Sequence, residues 1–250
     1  MTPSDDKPDY GIDAPKVVRN FIVLGTVFIL FGVLRPLFPL YLPEPVAKIL
    51  LGLAPSIESI GCGFIFTACL MLWGSKAGKF RLRDSVLDAM RWRGDERVLD
   101  VGCGHGLMMI GAAKRLRTGK AIGIDLWSQD DQSRNSADAT LRNAQIEGVS
   151  HRVEIKTGDA RKLPFENTSF DVVLSSWALH NIKKREERDQ ALAEIVRVLK
   201  PGGRVAIIDI RHAREYARFF HQQGLELVSI SAPSFLFFIP THTIVACKPA

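Results

Sequence analysis

The pattern of apolar and polar positions divides the chain into two unlike parts. From Phe21 to Leu34 there are fourteen residues without a charge. Extended back to Val17, this run approaches the ~20 residues that a bilayer-spanning helix needs. Pro36, Pro39, Pro43 and Pro45 then crowd a short connection. A second apolar segment follows from Val46 to Trp73, interrupted by Lys48 and Glu58. The pattern predicts two membrane helices, over about 17–35 and 49–73, in a hairpin spanning 17–75. The preceding residues 1–16, polar and proline-containing, are expected to form a flexible tail. A cleaved signal peptide fits poorly, because the start is acidic and the core runs into Arg35-Pro36 instead of a small-residue site. A re-entrant or surface-lying hairpin stays open, since Arg35, Glu58 and the prolines weaken both spans. Glu58 is either a functional acid inside a span or a partner for Lys48.

After residue 76 the pattern changes to short apolar runs that alternate with amphipathic stretches. Strands are predicted at Val98–Val101, Lys120–Asp125, Val153–Lys156, Phe170–Ser176, Arg204–Ile210, Glu226–Ser231 and Thr243–Cys247. Helices are expected over 106–117, 131–147, 183–199 and 214–223, the last closed by Gly224. Pro201 and Gly203 read as a turn into the fifth strand. Such alternation implies an α/β domain over 76–250, built on a parallel sheet with helices on both faces. The very apolar 232–240 is either a core plug or a lip facing substrate or membrane.

The candidate chemistry lies at the ends of the first strands. Val98-Leu-Asp-Val-Gly-Cys-Gly-His-Gly106 places three glycines directly after a buried strand, where the backbone can lie against a ligand. Leu107 stands where a dinucleotide fingerprint needs its third glycine, and no phosphate-binding P-loop occurs. Asp125 ends the second strand, where a carboxylate can accept bonds from two ribose hydroxyls. Asp159, beside the N–H of Ala160, has the groups to read an adenine edge.

With these three motifs followed by the strand Phe170–Ser176 and by Leu199-Lys-Pro-Gly-Gly203 leading into Arg204–Ile210, residues 80–250 resemble the class I S-adenosylmethionine-dependent methyltransferases, especially the quinone- and small-molecule-methylating branch. The resemblance implies a Rossmann-like seven-stranded fold whose last two strands form a hairpin, the final one antiparallel. It implies that S-adenosylmethionine is bound at its methionine end by Asp100, Gly102 and Gly104, and at its ribose by Asp125. Leu126 or Trp127 would pack on the adenine, with Asp159 and Ala160 at its edge. Ser175 would lie near the methionine carboxylate or the sulfonium. No metal is implied.

Charge and cysteine usage narrow the setting. The net charge is +6, and 28 basic residues stand against 21 acidic ones beyond position 75. A basic globular half suits an acidic substrate, nucleic acid or an anionic membrane surface. Cys62, Cys69, Cys103 and Cys247 show neither metal-ligand spacing nor a disulfide framework. Lys76, Lys79, Arg81 and Arg83 follow the second span, so the positive-inside rule puts the catalytic domain in the cytoplasm of a multi-pass membrane protein. The same cations are expected to press a helix over 81–92 onto head groups. A tethered site suggests a small or lipid-soluble acceptor such as a quinone precursor. His180, in the segment after the fourth strand, is either the base that takes the acceptor proton or a structural loop histidine. Asp209 and His212 are second candidates. Nucleic acid is an unlikely acceptor, because Ser175-Ser176-Trp177-Ala178 lacks the base-methylating motif. A cofactor-binding scaffold without catalysis is the other alternative.

Overall fold

A computed structural model describes residues 7–128 and 135–250, and the chain divides into two compact units, 12–76 and a larger unit of 77–250 joined by the segment up to Gly11. The strands of the larger unit are β1 (Arg97–Val101), β2 (Lys120–Asp125), β3 (Val153–Thr157), β4 (Phe170–Ser176), β5 (Leu199–Asp209), β6 (Glu226–Ile230) and β7 (His242–Cys247). They form one sheet in the order β3-β2-β1-β4-β5-β7-β6. The first five are parallel, while β7 runs antiparallel to both β5 and β6. This is the predicted seven-stranded arrangement with its terminal hairpin. Alternate residues of each strand feed two cores. Leu99, Val173 and Ile207 pack against helices on one face, and Val98, Val172 and Ala206 pack on the other.

In the same unit lie the helices α4 (Lys79–Ala89), α5 (Leu107–Ala113), α6 (Ala137–Ile146), α7 (Arg185–Val198) and α8 (Ala213–Gln222). Ser136 caps α6 by accepting the Ala139 N–H at 3.2 Å. The helix expected from 131 begins at this cap, and residues 131–134 lie outside those described. Pro201 and Gly203 do not form a turn ahead of a strand. They lie inside β5, where a register shift against β4 and a positive φ at Gly202 make a bulge. Gly224 closes α8 with φ +77° as expected.

One expectation about the flanks needs correction. The described part of the polar start is not a free tail: Tyr10 is buried, and Asp9 to Gly11 are bonded to the catalytic unit. Of the cations after residue 76, Lys79 and Arg83 are buried, Lys79 bonding the Tyr10 carbonyl and Arg83 pairing with Asp84, while Arg81 and Arg91 are exposed; the helix expected to reach 92 ends at Ala89.

In the smaller unit, α1 (Pro15–Val33) and α3 (Glu44–Trp73) are joined by a 3-10 turn at Arg35–Leu37 and the short α2 (Phe38–Tyr41). Pro45 sits in the first turn of α3, where a missing N–H costs nothing, so the helix starts earlier than the prolines suggested. α1 and α3 pack antiparallel. The buried positions of α1 are Val18, Gly25 and Gly32, and those of α3 include Ala47, Ala54, Gly61 and Ala68. Both sets recur every seventh residue, and nearly all are small. A Cβ added at Gly25 would meet the Gly61 carbonyl at 2.9 Å, and one at Gly61 would meet the Gly25 carbonyl at the same distance. Large apolar side chains such as Val27, Leu30, Ile49, Ile60 and Phe66 point outward and are exposed. Glu58 pairs with Arg35 at 3.5 Å and not with Lys48, whose partner is Glu44 one helical turn away.

Candidate active site

The site is built at the carboxyl ends of β1, β2 and β4. Gly102, Gly104 and Gly106 all have positive φ, so the loop after β1 turns back on itself. At Gly102 (φ +72°) a Cβ would fall 2.2 Å from the Cβ of Ala178, which shows how closely the loop after β4 lies on the glycine loop. Gly102 and Cys103 donate their N–H groups to the Ile124 carbonyl, and Gly106 caps α5.

Asp100 is buried under this loop. One carboxylate oxygen accepts the Met109 N–H at 2.9 Å, while Oδ1 is buried with no hydrogen-bond partner. Burial outweighs that bond, and the nearby Asp125 carboxylate adds to it, so the Asp100 carboxyl is pushed up to about 7. Asp125 accepts from Gly104 N at 2.8 Å on one oxygen and from Trp127 N at 2.7 Å on the other. Leu126 is exposed beside it, and the Trp127 ring is held by its N–H to the Thr157 hydroxyl at 2.8 Å. Cys103 is buried, and its thiol is pushed well above the ordinary range, so it is no nucleophile.

Two predicted cofactor residues are differently engaged. The Asp159 carboxylate is gripped by the Arg161 guanidinium at 2.6–3.0 Å, which holds its carboxyl below the usual range. Its remaining capacity to accept a ligand N–H is therefore small, although Ala160 stays half-buried beside it. Ser175 is not free at the strand end. It is buried within β4, and its hydroxyl donates to the Val101 carbonyl at 2.8 Å, tying β4 to β1.

His180 follows β4 in a 3-10 turn (Leu179–Asn181), and its Nδ1 lies 2.6 Å from Oδ1 of Asp209 at the end of β5. The two atoms are close but not in line for a ring N–H bond, so the contact is not an aligned hydrogen bond. Asp209 is fully buried and accepts from His180 N, Ile210 N and the Tyr216 hydroxyl at 2.7–3.3 Å. That environment pushes the Tyr216 phenol upward, by burial first and by the Asp209 charge second. His212 is turned away to Glu215, 3.3 Å distant. The Trp177 ring stands edge-on to His180, and Phe237 of the 232–240 segment lies against Trp177 with ring centroids 3.7 Å apart. Within that segment Phe237 is buried, as a plug would be, and Phe235 is exposed. Sequence reasoning missed the Tyr216 support and this aromatic wall. It also missed Thr140, whose hydroxyl donates to the Gly104 carbonyl at 2.6 Å. The available signal was a polar residue on the buried face of α6.

This sheet order, with a glycine loop after β1 and acids at the ends of β1 and β2, is an arrangement suited to a nucleoside cofactor. Residues 99–207 match the family model of a methyltransferase domain. Methyltransferase GfsG of Streptomyces halstedii is 33% identical over 136 residues, covering 54% of this chain and 45% of that protein. Demethylmenaquinone methyltransferase of Lactobacillus johnsonii is 32% identical over 128 residues, covering 51% and 49%. The structure of phosphoethanolamine N-methyltransferase 2 of Haemonchus contortus, in complex with S-adenosyl-L-methionine, overlays with a TM-score of 0.56 at 18% identity, covering 68% and 53%. The chain spans about half the length of the curated relatives it matches. The larger unit therefore has the fold of the class I S-adenosylmethionine-dependent methyltransferases, with a matching methyltransferase domain over 99–207. The unpartnered Asp100 oxygen and the glycine cradle suit that cofactor, which brings an ammonium group and no diphosphate.

Proposed function

We propose that this protein is a membrane-tethered methyltransferase that transfers the methyl group of S-adenosylmethionine to a small, lipid-soluble acceptor at the cytoplasmic face. The observation that carries the tether is the inverted build of the hairpin. A water-soluble helical pair buries Leu and Ile at its seam and exposes polar residues. Here the seam is glycine and alanine and the large apolar side chains face outward, the pattern of helices packed within lipid. Tyr41 and Trp73, both exposed at the helix ends, suit the interface. Alkaline carbonate washing is expected to leave the full chain in membranes, and protease added to the cytoplasmic side is expected to cut the catalytic domain. Release into the wash would overturn the tether. Gly61→Leu is expected to separate the helices and lower resistance to detergent unfolding, whereas unchanged resistance would contradict the seam.

The cofactor, when bound, supplies an electrophilic methyl on a sulfonium. Asp100 would hold its ammonium group through the unpartnered oxygen, Asp125 its ribose, and Leu126 the face of its adenine. Ala160 keeps an N–H for the adenine edge, with Asp159 committed mainly to Arg161. His180, oriented by Asp209, would take the acceptor proton, and the Trp177–Phe237 wall would exclude water from the transfer.

The raised Asp100 carboxyl gives this reading a pH signature. The unfolded chain loses that proton near pH 4, while the folded protein keeps it up to about pH 7. Stability of the cofactor-free protein is therefore expected to fall as pH rises between those values and then level. A cationic ligand favours the carboxylate, so cofactor affinity is expected to rise with pH toward 7. Asp100→Asn should flatten both profiles in calorimetry. Wild-type and Asn profiles that coincide would show that Asp100 does not hold the ammonium.

A further inference from the structure

We propose that Asp9–Gly11 is a working part of the cofactor site: a main-chain strap that holds the glycine loop in its binding conformation, with Tyr10, Asn143 and His105 as positioning residues. The proposal rests on this loop being the cofactor loop. A run with positive φ at 102, 104 and 106 loses much conformational freedom on folding, so external ties matter to it. His105 lies at its centre and is buried. The Asn143 side chain accepts the Asp9 N–H at 2.9 Å and donates to the Asp9 carbonyl at 2.8 Å and the His105 carbonyl at 3.1 Å. Both amide hydrogens and the amide oxygen are thereby used. The His105 ring closes the cluster, its Nδ1 lying 3.0 Å from the same Asp9 carbonyl.

The strap itself is firmly anchored. Tyr10 is only 3% exposed, stands edge-on to Phe80 with centroids 5.3 Å apart, and bonds Glu147 through its hydroxyl at 3.1 Å. The buried Lys79 ammonium donates to the Tyr10 and Gly11 carbonyls at 2.8 and 3.0 Å. Burying an ammonium and an asparagine costs free energy unless each is bonded, and here both are bonded to the main chain of this segment. The held residue sits between the two that set the acids: Gly104 donates to Asp125, and Gly106 begins the helix whose Met109 N–H bonds Asp100.

The test uses the full-length protein in nanodiscs, and Tyr10 is varied because its side chain anchors the strap through Phe80 and Glu147. Tyr10→Ala is expected to raise the S-adenosylmethionine Kd roughly tenfold, the scale of one hydrogen bond between Asp9 and the Asn143–His105 cluster lost once the buried ring no longer anchors the strap. It should also speed amide hydrogen exchange over 102–110, while Tyr10→Phe keeps both near wild type. If Tyr10→Ala fails to fold, Asn143→Asp serves instead, since it keeps the acceptor for Asp9 and loses both donors at constant shape. A variant that lowers Tm while cofactor Kd and exchange over 102–110 stay unchanged would overturn the proposal and leave the strap as packing alone.

Discussion

Replacing His180 by alanine is expected to slow methyl transfer by roughly 10²–10⁴-fold, the usual contribution of a positioned general base. The expectation rests on its closeness to a fully buried Asp209 that three donors hold in place. A carboxylate so fixed stabilises the imidazolium that forms when the ring accepts a proton, and it also sets the ring's orientation. Cofactor affinity should stay within about twofold, since neither His180 nor Asp209 belongs to the loops around Asp100 and Asp125. His180→Gln separates base from brace, because an amide can fill the loop yet cannot take the proton. Near-normal turnover of the glutamine variant would show that His180 is structural, and an acceptor already neutral as its reactive form would follow. Asp209→Asn is expected to lower turnover in the same direction while leaving KM for the cofactor unchanged.

Asp125→Ala is expected to weaken S-adenosylmethionine binding by about 1.5–3 kcal/mol, or roughly 10–150-fold, the range for charge-assisted hydrogen bonds. Part of that loss is indirect. The carboxylate receives the N–H groups of Gly104 and Trp127, so its removal frees the glycine loop and the loop that carries Leu126 together. Asp125→Asn should fall between, since the amide keeps one acceptor oxygen and loses the other. Calorimetry with unchanged cofactor affinity in the alanine variant would sink the assignment.

What the sequence made legible is what is written in local pattern. β1, β2 and β4 were visible because a buried parallel strand is a short apolar run that ends at a glycine, an acid or a serine pair, and each was found within a residue of its ends. The β5 bulge was missed because Pro-Gly-Gly has the composition of a turn, and only pairing with β4 and β7 reveals that the strand continues through it. Ser175 and Asp159 were expected to meet the cofactor from their positions in the motif. Their partners, Val101 and Arg161, compete for the same atoms, and pairing of side chains cannot be read from position. The strap escaped for the same reason: Asp9 meets Asn143 across 134 residues of chain, and a polar, proline-bearing start looks like a tail until that contact exists. The hairpin seam was present in the sequence as a seven-residue recurrence of small residues. It was overlooked beneath the stronger signal of overall apolarity.

The most direct measurement is methyl transfer itself. Full-length protein in native membranes or nanodiscs is supplied with S-adenosylmethionine labelled in its methyl group, and the label is followed into solvent-extractable lipid and quinone, into RNA, and into water-soluble small molecules. The account predicts label in the solvent-extractable fraction, lost in Asp125→Ala at limiting cofactor and in His180→Ala at any cofactor concentration. Label confined to RNA, or no transfer to any fraction despite tight cofactor binding, would contradict it.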